Sequence, residues 1–334
     1  MIIKIRWVLL GCYMALLPLY GMDYTTKPEV KKFIKMMHHR YGFKTKTLER
    51  WLGSVRKQTR YLNSRRYRYY WGQSHSKGSW DRYAYAYLKR TPAGVYFMRK
   101  FHDTLKRASK KYGVPPEYIT AIIGVETDFG VTRGDYYVFD RLVHLAFDKD
   151  SRRAKFYQKE LIALLRLVAK EKINPKDIRG SASGAIGLAQ FMPSTYKLFG
   201  VDFNHDGKIR MNNVSDAIGS IAYYFRRHHW HRGEDVAVRA RYEGNRFNAL
   251  ETGIKKRYDQ KALAKEGIEP REPFNYKGKV YLIKLERHYY DELWYGGWNF
   301  YVITRYNHSS YYAMSVHQLA QRIKKTYQQR YGKF

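Results

Sequence analysis

The chain runs to 334 residues, more than one typical domain of roughly 150, so it holds two or three units with a real core and is no small stapled scaffold. Its 63 Lys and Arg against 29 Asp and Glu leave a formal charge of +34. That balance points to a polyanionic partner or surroundings, whether nucleic acid, an anionic membrane surface or an acidic polymer such as a cell wall, and charge alone does not choose among them.

A basic lead, Met1 to Arg6, precedes an apolar run from Trp7 to Tyr20. The run is too short to span a bilayer comfortably, and Pro18 with Gly21 resembles the end of a cleavable export signal, so residues 1–21 are expected to be removed. The only cysteine, Cys12, lies inside this segment, which leaves the mature chain without a disulfide of its own. Leu9-Leu10-Gly11-Cys12 also fits a lipoprotein site acylated at Cys12, although the apolar run continues past it and ranks plain cleavage first.

Residues 22–110 read as a leading helical, very basic subdomain, with Phe33, Ile34, Leu48, Trp51, Leu52 and Val55 at helical spacing. Within it Arg65-Arg66-Tyr67-Arg68-Tyr69-Tyr70-Trp71 interleaves cations with aromatics, a composition used to grip single-stranded nucleic acid. The export signal favours the plainer reading of a solvated face over packed rings, and no nucleic-acid partner is expected.

Residues 111–232 continue helical. Pro115 and Pro116 suit a first helical turn and Gly130 its end, so a helix of about four turns places Glu126 on the same face as Ile119, Ile122 and Ile123. A carboxyl in oily surroundings is desolvated, which raises its pKa towards the range of a general acid near neutral pH. The segment also fits a helix-end carboxylate paired to one of the many cations. Asp128, two residues on, faces another way and is expected to meet solvent or hold a local loop.

From Gly180 to Ser194 so many residues are small that a ligand or another backbone can approach closely, with Ser181 and Gln190 offering hydrogen bonds; tight helix packing fits the same composition. Asp202-Phe203-Asn204-His205-Asp206-Gly207-Lys208 fits the opening of a calcium loop, but the twelfth position is Asn213 where a standard loop needs a bidentate Glu. A turn capped by Asp and Asn without metal is the alternative. His228-His229-Trp230-His231 reads as a basic helix terminus rather than a transition-metal site.

Residues 233–299 change character: Tyr276 to Leu282 and Leu293 to Phe300 carry aromatic and branched runs around glycines and look like hairpins of a small antiparallel sheet. In 300–334 a last helix is expected from an N-cap at Asn307, with Ala313, Val316, Ala320 and Ile323 on one face.

Six ordered blocks carry a family resemblance: Tyr112 to Glu117, Gly124 to Thr127, Gly180-Ser181 with Gly184 to Gly187, Gln190 to Ser194, Asp216 to Ser220, and Thr304 to Asn307. Together they resemble the membrane-bound lytic murein transglycosylase B family over about residues 33–322. The resemblance implies a mainly α (α+β) fold, with a lysozyme-like helical catalytic core, the leading helical subdomain and the small antiparallel β subdomain. It also implies cleavage of the N-acetylmuramic acid to N-acetylglucosamine bond of peptidoglycan, without water, leaving 1,6-anhydromuramoyl ends. The single catalytic carboxyl then matches Glu126, which agrees with one oily acid and no evident second carboxylate of the kind that ordinary glycosidases pair across the bond.

By the same resemblance Ser181, Gln190, Tyr224, Tyr306 and Asn307 match positions lining the saccharide groove, and Arg152 with Arg153 match a basic pair near it. Two departures stand out: Leu188 occupies a position where the family can carry an aromatic, and Asp150-Ser151 lengthen the approach to the arginines. The family's variant calcium site takes its last carboxylate three residues late, so the expected ligands are Asp202, Asn204, Asp206, the Lys208 carbonyl and Asp216. No organic cofactor is expected beside that structural calcium. The expected setting is the periplasm, or the outer membrane if Cys12 is acylated, with a monomer acting on glycan strands and meeting membrane surface and wall-synthesis proteins. A hydrolytic muramidase and a non-cutting glycan scaffold are the competing readings.

Overall fold

The computed structural model describes residues 21–57, 77–148 and 153–334, which fall into two compact units divided after Gln58. The export-signal residues up to Tyr20, the Arg65 to Trp71 run, Asp150-Ser151 and Arg152 therefore lie outside the described residues.

The first unit is a pair of helices, α1 (Pro28–Tyr41) and α2 (Thr45–Leu52). Val30, Phe33, Ile34 and Met37 recur at three- and four-residue spacing along α1 and are buried, as are Leu48 and Leu52 on α2. Met22 and Val55 close the unit through paired backbone hydrogen bonds.

The second unit opens with α3 (Ser79–Leu88), α4 (Thr91–Lys100), α5 (His102–Tyr112) and α6 (Pro116–Thr127). Eleven of the twelve residues of α6 are buried, Glu126 being the exception. A helix apolar on every side belongs inside a bundle. Here α6 is covered by α4, α5, α10 (Val214–Arg227) and α13 (Ser310–Tyr331). Beside that bundle stand α7 (Val138–Phe147), α8 (Ala154–Glu171) and α9 (Pro193–Phe199), packed in sequence order. The strands β1 (Tyr136–Tyr137) and β2 (Arg179–Gly180) pair antiparallel and tie the chain after α6 to the small-residue stretch. That stretch is a loop, not the packed helix its Gly and Ala content also allowed.

A five-stranded antiparallel sheet follows, built from β3 (Ala237–Tyr242), β4 (Arg257–Tyr258), β5 (Ile268–Pro270), β6 (Val280–Glu286) and β7 (Asp291–Gly296), in the order β4-β6-β7-β3-β5. The short helix α11 (Gln260–Lys265) covers one face, where Leu263 joins Val238, Val280, Leu282, Leu293 and Tyr295 in a core of its own. The expected β run from Leu293 to Phe300 is corrected in its second half: Gly297 is an N-cap, and Trp298–Thr304 forms helix α12. The Asn307 N-cap is likewise corrected, because α13 begins at Ser310 with Ser309 Oγ accepting from the Tyr312 N–H at 3.2 Å. Ala313, Val316, Ala320 and Ile323 are all fully buried on α13.

Candidate active site

Glu126 sits one residue before the end of α6, where the chain leaves the helix through Asp128 and Phe129, both with left-handed backbone (φ 50° and 56°). Two consecutive non-glycine residues in that region store strain beside the carboxyl, a pattern concentrated at functional sites. The helix end is held from outside by Arg90, in the turn between α3 and α4. Its guanidinium donates to the Gly124 carbonyl at 2.6 Å and the Val125 carbonyl at 3.3 Å, and its Nε lies 3.5 Å from Asp128 Oδ1. A cation at the C-terminal carbonyls of a helix also meets the negative end of its dipole.

The carboxyl itself is half-buried and accepts a 2.5 Å hydrogen bond from the Tyr312 hydroxyl on Oε1. Desolvation pushes its pKa up to about 7, against the opposing pull of the Tyr312 bond and of the Arg90 charge. The surrounding rings supply that desolvation: Tyr306 lies parallel to Tyr312 at 6.4 Å, and burial together with the nearby Glu126 charge drives both hydroxyls well above their ordinary pKa. Among the described residues no carboxylate contributes to the charge balance of Glu126, where the charge that acts is that of Arg90.

Two clefts meet at Glu126 and Asn307, which line both. One, of about 590 Å³, is walled by Ser181, Gln190, Tyr224 and Tyr306. The other, of about 640 Å³, is walled by Tyr83, Tyr87, Tyr312 and the loop from Glu251 to Lys255. Five of the residues named from the sequence thus stand together around one carboxyl. Four of them are held by the backbone around them. The Tyr306 and Tyr224 hydroxyls donate to the carbonyls of Ala189 (2.5 Å) and Arg305 (2.7 Å), so the rings form the cleft wall. Ser181 Oγ accepts the Ala185 N–H at 3.0 Å, which leaves its own proton to donate. Gln190 sits at φ 46° with its amide nitrogen donating to Gly187 O at 2.8 Å and Arg133 O at 3.2 Å, which turns its carbonyl oxygen to other partners. Glycine turns make this wall possible: a Cβ on Gly187 (φ 72°) would stand 2.2 Å from Met211 Cβ, and one on Gly134 (φ 92°) 2.1 Å from Gly180 O.

Arg153 is exposed and stacks on Phe156, and it lines neither cleft. Leu188 is buried beside the Gly130 turn and offers no face to a sugar. Sequence reasoning missed Tyr312, Tyr83 and Arg90. Reading the Ser309 cap correctly would have set Tyr312 in the first turn of α13; nothing in the sequence marks Arg90.

Four of the expected calcium ligands lie in the 202–208 loop and the fifth, Asp216, on α10. Asp216 is fully buried, and its two oxygens accept the Phe203 and Arg210 N–H groups at 2.9 and 2.7 Å. Asp202 accepts from Asp206 N and Gly207 N, and Asn204 and Arg210 both donate to Asp206 Oδ2. Among the described residues no group of three or more His, Cys, Asp or Glu stands at metal-holding spacing.

A mainly helical fold that presents one desolvated carboxyl between two aromatic clefts defines a glycan-cleaving enzyme of the lysozyme-like class. Residues 25–321 match the family described as "Transglycosylase SLT domain". The membrane-bound lytic murein transglycosylase B of Escherichia coli (strain K12) is 37% identical over 309 residues, covering 91% of this chain and 84% of that protein. The Escherichia coli lytic transglycosylase Slt35 in complex with bulgecin A superposes with a TM-score of 0.85 at 37% identity, covering 92% of this chain and 96% of the other. The same enzyme in complex with calcium gives 0.84 at 37% identity, again covering 92% and 96%. The chain belongs to the transglycosylase SLT domain family and is a peptidoglycan lytic transglycosylase.

Proposed function

We propose that Glu126 is the single general acid and base of this enzyme, acting on the bond between N-acetylmuramic acid and N-acetylglucosamine. A carboxyl with its pKa near 7 is protonated in a large share of molecules at neutral pH and can deliver that proton to the glycosidic oxygen. The C1–O4 bond breaks as the leaving sugar takes the proton. The resulting carboxylate then removes the proton of the muramoyl C6 hydroxyl, the C6 oxygen bonds to C1, and a 1,6-anhydro end forms without water. Tyr312 orients the carboxyl and stabilises it while it is charged. Ser181 and Gln190 supply polar contacts, and Tyr224, Tyr306 and Asn307 shape the saccharide wall. The observation that carries this reading is a desolvated carboxyl with no carboxylate acting on it. Asp135 and Glu251 line the two clefts and are the residues that a water-activating muramidase would have to recruit.

Mass spectrometry of products from purified peptidoglycan separates these chemistries. Muropeptides lighter by one water than their reducing counterparts, made by wild type and not by Glu126→Gln, are expected. Reducing ends would install the muramidase instead, and product from Glu126→Gln at the wild-type rate would remove Glu126 from the chemistry.

We also infer that Asp202, Asn204, Asp206, the Lys208 carbonyl and Asp216 hold a calcium ion. The donors are all oxygen, as a hard cation requires, and Asp216 already braces the loop from within α10. The ion would supply a structural cross-link between the 202–208 loop and that helix. We place the enzyme outside the cytoplasm, exported by residues 1–21 or anchored through Cys12, in keeping with the membrane-bound name of its relative.

A further inference from the structure

Glu286, the last residue of β6, is 7% exposed and takes no part in the cleavage chemistry described so far. Its Oε2 gathers hydroxyls from two other elements: Tyr311, in the first turn of α13, donates to it, and Ser79, the first residue of α3, stands 3.2 Å from it. Ser79 Oγ lies 2.7 Å from the Tyr311 oxygen, which also accepts the Glu286 N–H at 3.3 Å, so the three residues close a triangle. Burial and the neighbouring carboxylate push the Tyr311 hydroxyl above its ordinary pKa and keep it a donor. The Tyr311 ring packs edge-on against Trp80 at 5.2 Å and Tyr83 at 5.6 Å. The turn after β6 fastens α3 a second time. There the Gly78 N–H donates to the Arg287 carbonyl at 3.1 Å, and Asp81 accepts from the His288 N–H at 3.0 Å and pairs with Arg287 at 3.1 Å. One strand end thus holds the first turns of two helices that wall the cleft shared by Tyr83 and Glu126, and Ser79 and Tyr311 line that cleft themselves. Tyr312 follows Tyr311 by about 100° around α13, so a single turn presents one hydroxyl to the sheet and the next to Glu126. An apolar side chain in place of a buried carboxylate is often neutral for stability, so stability alone does not account for Glu286.

We propose that Glu286 is a positioning residue for glycan cleavage: through Ser79 and Tyr311 it sets the first turns of α3 and α13, and thereby holds the Tyr312 hydroxyl on Glu126. It acts in this way only if Glu126 is the general acid, since the bond it guards is the one from Tyr312 to that carboxyl at 2.5 Å. The titratable and charged groups facing Glu126 are Arg90, Tyr312, Tyr306 and Tyr83. Those facing Glu286 are Tyr311 and Lys284, whose ammonium lies 3.7 Å from Oε1 and 3.6 Å from Asp291, so that it keeps a partner when Glu286 is replaced. Arg90 supplies the charge that acts on Glu126, and Glu286 therefore reaches the acid through geometry rather than through its field.

The test is a set of pH–rate profiles on purified peptidoglycan, with thermal unfolding midpoints alongside, for wild type, Tyr312→Phe, Tyr311→Phe, Glu286→Leu, Glu286→Gln and the double variant Tyr311→Phe/Tyr312→Phe. Tyr311→Phe keeps the ring on Trp80 and Tyr83 and removes one oxygen, so it carries the comparison if Glu286→Leu does not fold. Tyr311→Phe and Glu286→Leu are expected to lower kcat about threefold to tenfold with KM within about twofold. Their alkaline limb should move to higher pH, the direction in which Tyr312→Phe moves it. Glu286→Gln, which keeps an oxygen for Tyr311, should stay near wild type, and in the double variant the limb should move no further than in Tyr312→Phe alone. A limb that moves in Tyr312→Phe but not in Tyr311→Phe or Glu286→Leu overturns the proposal whatever the loss of stability, and leaves Glu126 as the acid. A further shift in the double variant overturns it too, because the hydroxyl would then act by a route other than Tyr312. A limb unmoved even by Tyr312→Phe removes the link between Tyr312 and Glu126, and the role of Glu286 with it.

Discussion

A carboxyl that folding prefers to keep protonated destabilises the fold whenever it ionises. Glu126 has its pKa raised from 4.5 to about 7, so its favourable contribution is fully present below about pH 4.5 and is lost as pH rises through 7. Above that, the folded chain bears the cost of a desolvated anion, up to about 3 kcal/mol at 1.36 kcal/mol per pH unit. Glu126→Gln should therefore be more stable than wild type at pH 8 and near wild type at pH 4, while activity drops by roughly 10²- to 10⁴-fold. Urea unfolding at the two pH values decides it; an equal difference at both would mean that the charge is not what strains the site. The first proton transfer needs the acid form, so the rate should fall above about pH 7. Tyr312→Phe removes a bond that holds the pKa down, and the alkaline limb of the rate profile should move to higher pH, with a limb that stays or moves down refuting the assigned role. Glu126 was legible in the sequence because a lone acid among Ile119, Ile122 and Ile123 breaks an apolar pattern. Tyr312 was not, since its approach depends on where α13 begins, and one tyrosine among 33 carries no local mark.

At the scale of elements, α6 delivers that acid to the groove because almost every other side chain along it is buried. Near its C-terminus the Gly124 carbonyl accepts both the Asp128 N–H at 3.0 Å and the Arg90 guanidinium, which also reaches the Val125 carbonyl. Arg90→Met keeps the stem and removes the guanidinium, leaving two carbonyls and Asp128 without it, and should cost about 1–3 kcal/mol in denaturant unfolding. It should also raise the pKa of Glu126, since the Arg90 charge lowers it. A stability loss without any shift in the pH–rate profile would confine Arg90 to the scaffold. Helical periodicity made α1, α6 and the buried face of α13 readable in advance. The sheet was readable only in part: in β3 (Ala237–Tyr242) the buried Val238 and Ala240 alternate with Arg239 and Arg241 over too short a run to stand out, and Trp298–Thr304 has the composition of a strand but is a helix. There the burial of Asn299, whose side chain bridges the His231 and Glu234 backbone, outweighs β propensity. The groove wall was only half legible through its glycines, because close backbone approach and tight helix packing fit the same composition.

At the scale of the molecule, two features act over distances that no single contact spans. Asp216 ties the 202–208 loop to α10, which itself packs on α6 and carries Tyr224 into the groove, so the proposed calcium ion would act on both. Millimolar calcium should raise the melting temperature of wild type, and Asp202→Ala/Asp206→Ala should abolish that rise while leaving the calcium-free melting temperature within a few degrees; a rise that persists in the variant would place the ion elsewhere.

The charge of +34 poses a different question, whether it serves grip or recognition. Exposed Lys and Arg act through long-range attraction, which is screened within about 10 Å at 0.1 M salt and about 3 Å at 1 M. Around Glu126 the two cations that line the clefts, Arg305 and Lys255, are matched in number by Asp135 and Glu251, and the other contacts are the amide of Gln190, the Ser181 hydroxyl, Asn307 and tyrosine rings, which salt scarcely touches. Adhesion to the wall and recognition of the glycan should therefore separate on a salt series. With the inactive Glu126→Gln protein, the fraction sedimenting with whole anionic sacculi should fall steeply between 0.1 and 1 M NaCl. The affinity for a short uncharged chitin-type oligosaccharide, followed by tyrosine and tryptophan fluorescence, should stay within about twofold. Parallel loss of both would mean that the cations of the groove hold the glycan, and sacculus binding indifferent to salt would mean that the basic surface plays no part in holding the enzyme to its polymer.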